Sequence, residues 1–186
     1  MILRHIPNAL TLSRLVLIAP FLLFLYQQEY KWAFYTFLIA GITDGLDGWL
    51  ARYFDWKSLL GSFIDPLADK LLIASSFISL AFIGKLPWWL MVLVFMRDLT
   101  ISFGVVSWFW FVQQRIDFNP TMLSKLNTLL QLTLVTLCLF ELAFFEFPTL
   151  LIQILIALTA VTTAGTYIDY AWTWGKKACS RTRLAK

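Results

Sequence analysis

Residues 32–53, WAFYTFLIAGITDGLDGWLARY, and residues 58–83, SLLGSFIDPLADKLLIASSFISLAFI, decide the fold. Each run is long and apolar enough to cross a hydrocarbon core of roughly 30 Å as a helix. Each nevertheless carries acids, Asp44 and Asp47 in the first and Asp65 and Asp69 in the second. An aspartate at the centre of a membrane helix costs about 2.5–3.5 kcal/mol on insertion scales. Four of them in one hairpin point to chemistry.

Comparable apolar runs flank this hairpin, at roughly 10–27, 87–112, 122–145 and 149–174. They are separated by polar or proline-bearing breaks at 27–31, 55–57, 84–87, 113–120 and 146–148. The expected fold is therefore all-α: a polytopic membrane protein of six transmembrane helices, forming one unit over residues 1–186. The segments are too long for barrel strands and do not alternate. Composition agrees. Sixty per cent of the 186 residues are apolar, 17% aromatic and 14% charged. With a mean hydropathy of +0.74, so short a chain cannot bury its apolar surface as an ordinary soluble domain does. The apolar N-terminal stretch runs on to Tyr26 without a small-residue cleavage site, so it reads as a span and not as a removed signal peptide. Residues 1–14 are a candidate short interfacial helix ahead of it.

Basic residues orient the bundle. Arg4, Arg14, Arg52, Lys57, Arg115, Lys125 and the tail from Lys176 fall on the side of the two termini, whereas the other side has Lys31 and Lys85. Both termini are thus expected in the cytoplasm. The net charge of +4 is first a topology signal and then an attraction to anionic lipid. Charges spread over loop ends do not make a nucleic-acid surface. Two cysteines and a single histidine exclude a zinc or haem centre built from those ligands.

Helical spacing places Asp44, Asp47, Gly48 and Ala51 on one face, and Gly61, Asp65 and Asp69 on another. Folding the hairpin about Trp56 puts Asp47 and Asp65 at matching depth, roughly 13 Å along the helices, and Asp44 and Asp69 at roughly 19 Å. All four then lie in the cytoplasmic half, reachable from water. Converging carboxylates repel one another, and divalent cations relieve that repulsion. Oxygen ligands alone select magnesium, manganese or calcium, and four acids suffice for two ions about 3.5–4 Å apart, the arrangement used in phosphoryl displacement. Gly48, Ala51 and Gly61 leave room beside the acids, and Arg52 offers a phosphate-matched fork at the mouth. On the residues alone, an ion or proton path and a purely structural polar hairpin remain alternatives.

The pattern Asp44-x2-Asp47-Gly48-x2-Ala51-Arg52-x8-Gly61-x3-Asp65-x3-Asp69 resembles, without mismatch, the signature of the CDP-alcohol phosphatidyltransferases. The opening Ile6, Pro7, Asn8, Ala9, Leu10, Thr11 and Arg14 is also similar to part of that family. The resemblance implies six spans and transfer of a phosphatidyl group from CDP-diacylglycerol to an alcohol, with release of CMP. It implies two divalent cations, Mg2+ or Mn2+, held by Asp44, Asp47, Asp65 and Asp69, with Asp69 the candidate base. Gly48, Ala51, Arg52 and Gly61 would shape the CDP pocket. It further implies a homodimer through spans three and four. The setting would be a bacterial inner or plasma membrane, or a mitochondrial inner membrane, with the site facing the cytoplasmic side.

The second half must take the acceptor. Span four carries Arg97 and Asp98, either a self-satisfied pair or a phosphate contact. Span five opens with Ser124, Asn127, Thr128 and Gln131 along one stripe, with Lys125 at its edge. Interhelical hydrogen bonding and headgroup binding both fit that stripe. Arg97, Arg115, Ser124, Lys125 and Asn127 are the candidate acceptor ligands. Arg97-Asp98 and Pro120-Thr121-x2-Ser124-Lys125-x-Asn127-Thr128-x2-Gln131 resemble the CMP-forming branch of the family that uses phosphatidylglycerol, more than the branch that uses glycerol 3-phosphate. Phosphatidylglycerol is therefore the expected acceptor and glycerol 3-phosphate the alternative.

Overall fold

The computed structural model describes the backbone of residues 6–53, 59–112 and 122–184, and the side chains of 12–45, 68–101 and 122–168. Six helices and no strand occur among these residues. They are α1 (Ile6–Tyr26), α2 (Tyr30–Tyr53), α3 (Leu59–Phe82), α4 (Trp88–Val112), α5 (Met122–Ala143) and α6 (Thr149–Leu184). The apolar runs of the sequence map onto them one to one. Two ends differ appreciably. α1 starts at Ile6 and is continuous, so residues 6–14 form its first turns and not a separate interfacial helix. α6 runs ten residues beyond the expected 174, through the basic tail to Leu184. No proline falls in that stretch, and Arg181 and Arg183 in the last turn suit the helix dipole.

Two helices are long and apolar enough to cross a membrane among the described residues, Met122–Ala143 and Thr149–Ile168; the apolar stretch Leu12–Tyr26 is shorter. α1 packs on α2 and α3, α5 on α6 and α2, and α4 on α6 and α3. The shared core holds Phe21, Phe37, Phe77, Leu80, Leu90 and Leu134, each almost fully buried. Burying such a side chain is worth roughly 1.5–3 kcal/mol in water.

The connectors away from the acids are tight. α1 ends with Gln28 at φ 61°. Its N–H donates to Leu25 O at 3.2 Å, and the Glu29 N–H donates to Phe24 O at 2.9 Å. α3 ends in the same way, with Gly84 at φ 84° and the Lys85 N–H on Leu80 O at 3.0 Å. Both are left-handed caps that satisfy terminal carbonyls. Pro87 and Pro148 then stand just before α4 and α6 and accept from Leu90 and Leu151.

At this end Lys85 Nζ donates to Glu141 Oε1 at 2.9 Å, tying the α3–α4 connector to α5. That hydrogen bond is the main cause holding the Lys85 ammonium above its ordinary pKa. A raised pKa in the folded state means the contribution is intact below the unfolded value near 10.5 and fades as pH climbs through the folded one. Thermal unfolding in detergent should therefore show a midpoint that drops above about pH 10.5, and Glu141→Gln should flatten that drop while lowering the midpoint at neutral pH.

Candidate active site

Arg14, Asp44 and Asp69 come from three different helices and meet at one point. Arg14 is a charged side chain in the apolar α1, with no exposure at all. Its Nη2 lies 2.6 Å from Asp44 Oδ1 on α2, and its Nη1 donates to Asp69 Oδ1 on α3. A guanidinium suits this task because its rigid fork presents two donors to two acceptors at once. Without the carboxylates, the buried charge would cost several kcal/mol.

The two carboxylates are 45% and 42% exposed. Among the described residues the cluster thus has a buried cationic floor and an open, anionic rim, with two acids over one guanidinium. The matched depth expected for Asp44 and Asp69 is what allows one guanidinium to span them. Asp47 lies three residues beyond Asp44 in α2, and Asp65 lies one turn before Asp69 in α3. Their side chains, with those of Ala51 and Arg52 and the surroundings of Gly48 and Gly61, lie outside the described residues, as does Arg115. No group of three or more metal-ligating side chains occurs among the described residues, which contain two of the four expected acids.

A second polar centre lies between α4, α5 and α6. Arg97 is 6% exposed. Its Nη1 donates to Asp98 Oδ1 at 2.6 Å, and its Nη2 donates to Ser124 Oγ of α5 at 2.7 Å. The pair thus bonds within itself and also joins two helices, while Arg97 Nε has no partner among the described residues. One turn along α5, Asn127 is fully buried. Its Oδ1 accepts from Thr162 Oγ1 and Thr163 Oγ1 of α6, each at 2.8 Å. Asn127 and Gln131 of the expected polar stripe do face inward, while Lys125 is exposed at its edge. Gly165 keeps the contact close, since a Cβ there would meet Leu123 Cδ2 at 3.3 Å.

Two features escape a reading of the residues alone. Arg14 reads as one more topology charge, although an arginine buried inside an apolar run needs a partner for its charge. Thr159, Thr162, Thr163 and Thr166 recur at helical spacing on α6 and form the counterpart of the α5 stripe.

With this geometry in view, comparison with known proteins defines the class. The family model for CDP-alcohol phosphatidyltransferase matches residues 4–165. The chain belongs to the CDP-alcohol phosphatidyltransferase family. Among individual relatives, it is 35% identical over 188 residues to the CMP-forming cardiolipin synthase of Rattus norvegicus, covering 92% of this chain and 62% of that protein. It is 38% identical over 183 residues to a probable CMP-forming cardiolipin synthase of Drosophila melanogaster, covering 89% and 56%. A probable phosphatidylglycerophosphate synthase of Mycobacterium tuberculosis is 42% identical over 106 residues, covering 53% and 50%. The chain thus spans about three fifths of the length of its rat relative.

The shared guanidinium predicts energetic coupling. A double-mutant cycle of Arg14→Met and Asp69→Asn, read from denaturant or thermal unfolding in detergent, should give a non-additive term of about 1 kcal/mol or more. Additivity would mean that the contact carries no stability.

Proposed function

We propose that this chain is an integral-membrane phosphatidyltransferase that moves the phosphatidyl group of CDP-diacylglycerol onto phosphatidylglycerol, releasing CMP and forming cardiolipin. The observation that carries this reading is the meeting of Asp44 and Asp69 on Arg14. It supports the antiparallel register that the signature spacing requires, and the likeness to CMP-forming cardiolipin synthases supports the acceptor. All six helices cross the membrane in this reading, both termini are cytoplasmic, residues 1–186 form one catalytic unit, and the carboxylates face the cytoplasmic side of a bacterial or mitochondrial inner membrane. α3 and α4 form the interface of a homodimer.

The donor set of half-exposed carboxylates fits hard divalent cations, Mg2+ or Mn2+. Asp44, Asp47, Asp65 and Asp69 would hold two of them, and bound there they would neutralise charge on the pyrophosphate and on the departing CMP. The chain's own groups do the rest. Arg14 fixes the rotamers of Asp44 and Asp69 from below. Gly48, Ala51 and Gly61 make space for the cytidine and its phosphates, and Arg52 clamps a phosphate at the mouth. An oxygen of Asp69 takes the proton of the acceptor hydroxyl as that hydroxyl attacks the phosphorus bonded to diacylglycerol. Arg97, Arg115, Ser124, Lys125 and Asn127 position the acceptor's phosphate. The likeness to a phosphatidylglycerophosphate synthase over half the chain favours glycerol 3-phosphate as the second reading.

Purified protein given CDP-diacylglycerol and each acceptor separately should release CMP with phosphatidylglycerol and yield cardiolipin. EDTA should stop the reaction and Mg2+ or Mn2+ restore it. Consumption of glycerol 3-phosphate with no cardiolipin would replace the first reading with the second. Asp65→Asn should lower turnover at least about 100-fold while the protein still inserts and folds, and near-normal turnover would remove Asp65 from the site.

A further inference from the structure

An apolar cleft of about 540 Å³ opens between α4 and α6. Trp89, Val92 and Met96 of α4 and Ala164, Tyr167 and Ile168 of α6 form its walls, and the buried Thr163 lies at its floor. This volume is in the usual range for a small-molecule site. Thr163 is shared, because the same side chain donates to Asn127 Oδ1 in the polar centre. On α4 the wall residue Met96 directly precedes Arg97. The cleft therefore meets the polar centre at Thr163.

That centre is short of acceptors. Arg97 Nε, Asn127 Nδ2 and Gln131 Nε2 are buried and have no hydrogen-bond partner among the described residues, and neither has Thr159 Oγ1. Their residues are between 0% and 6% exposed. Gln131 lies one turn along α5 from Asn127, and Thr159 lies one turn back along α6 from Thr163. In the antiparallel pair these two stand level with each other. Buried polar atoms are almost always satisfied, and three of these four are nitrogen donors. What would satisfy them is a group rich in oxygen. The exposed Lys125 adds a positive charge at the edge of this centre, which favours an anion.

An oxygen-rich anion at one end of an open apolar cleft describes a glycerophospholipid. We infer that the acceptor lipid binds here, with an acyl chain between α4 and α6 and its phosphodiester headgroup on Arg97, Asn127, Gln131 and Thr159. This rests on the acceptor reading above and deepens it by adding Gln131, Thr159 and a chain-binding cleft. The smaller apolar cleft between α3 and α4, about 230 Å³, lies on the face assigned to the homodimer, whereas the α4–α6 cleft stays open to lipid. A soluble acceptor such as glycerol 3-phosphate has no use for such a cleft.

The experiment measures cardiolipin formation in mixed micelles, with dioleoyl- or dihexanoyl-phosphatidylglycerol as acceptor, for wild type, Ala164→Trp, Val92→Trp and Ile154→Trp. Ile154 is exposed on α6 outside the cleft. Filling the cleft from either wall should raise the KM for the dioleoyl lipid about tenfold, with the dihexanoyl KM and the CDP-diacylglycerol KM unmoved, and Ile154→Trp should match wild type. Unchanged dioleoyl kinetics in both cleft variants would overturn the inference while leaving the acceptor reading intact. So would an equal rise in all KM values, or a rise in Ile154→Trp as large as in the cleft variants. If wild type forms no cardiolipin from either lipid but consumes glycerol 3-phosphate, the acceptor reading itself falls and the inference with it.

Discussion

A guanidinium held entirely out of solvent between two carboxylates is the constraint around which the first half of the bundle is arranged. Arg14 cannot be buried alone, and Asp44 and Asp69 belong to two different helices. α1, α2 and α3 must therefore present these side chains at one level, which fixes their mutual register more tightly than apolar packing can. Apolar contacts can be repacked among similar residues at modest cost, but a buried guanidinium cannot give up its carboxylates. The floor it makes is also chemically useful. It holds two acids in place while leaving each nearly half exposed.

The second half repeats this logic with weaker bonds. Arg97 bridges α4 to α5 through Ser124, and Asn127 bridges α5 to α6 through two threonines. Hydrogen bonds of this kind between membrane helices are worth only about 0.6 kcal/mol on average, so they specify neighbours more than they add stability. They also leave donors over, and a centre with surplus donors is suited to receive a headgroup. The two centres differ in character: one is an ionic lock with an open rim, the other a hydrogen-bonded lattice around one ion pair, beside an apolar cleft.

The helices were legible because lipid leaves a coarse signal. Long apolar runs broken by proline and charge can be read off directly, and six helices stand where those runs fall. The matched depth of Asp44 and Asp69 was legible for the same reason, since helical rise converts residue counts into distance. Arg14 was not read as a partner for them, because a single basic residue near a span end looks like an orientation signal until its neighbours are known. The α6 threonines were hidden by chemistry: a threonine can return its hydroxyl to its own helix, as Thr162 and Thr163 also do, so it passes unnoticed in an apolar segment. Arg97 and Asp98 allowed two readings, and the structure shows their mutual bond and the added Ser124 contact while Arg97 Nε is left without a partner among the described residues.

The order in which these charges occur along the chain has a consequence for biogenesis. Arg14 leaves the ribosome before either acid, so the countercharge is already in place when Asp44 and then Asp69 are synthesised. Proteins are made from the N-terminus at roughly 5–20 residues per second, so Asp69 follows Asp44 within a few seconds. Asp44 and then Asp69 are each made after the arginine they pair with, so every member of the ion cluster is present before the second half of the chain exists.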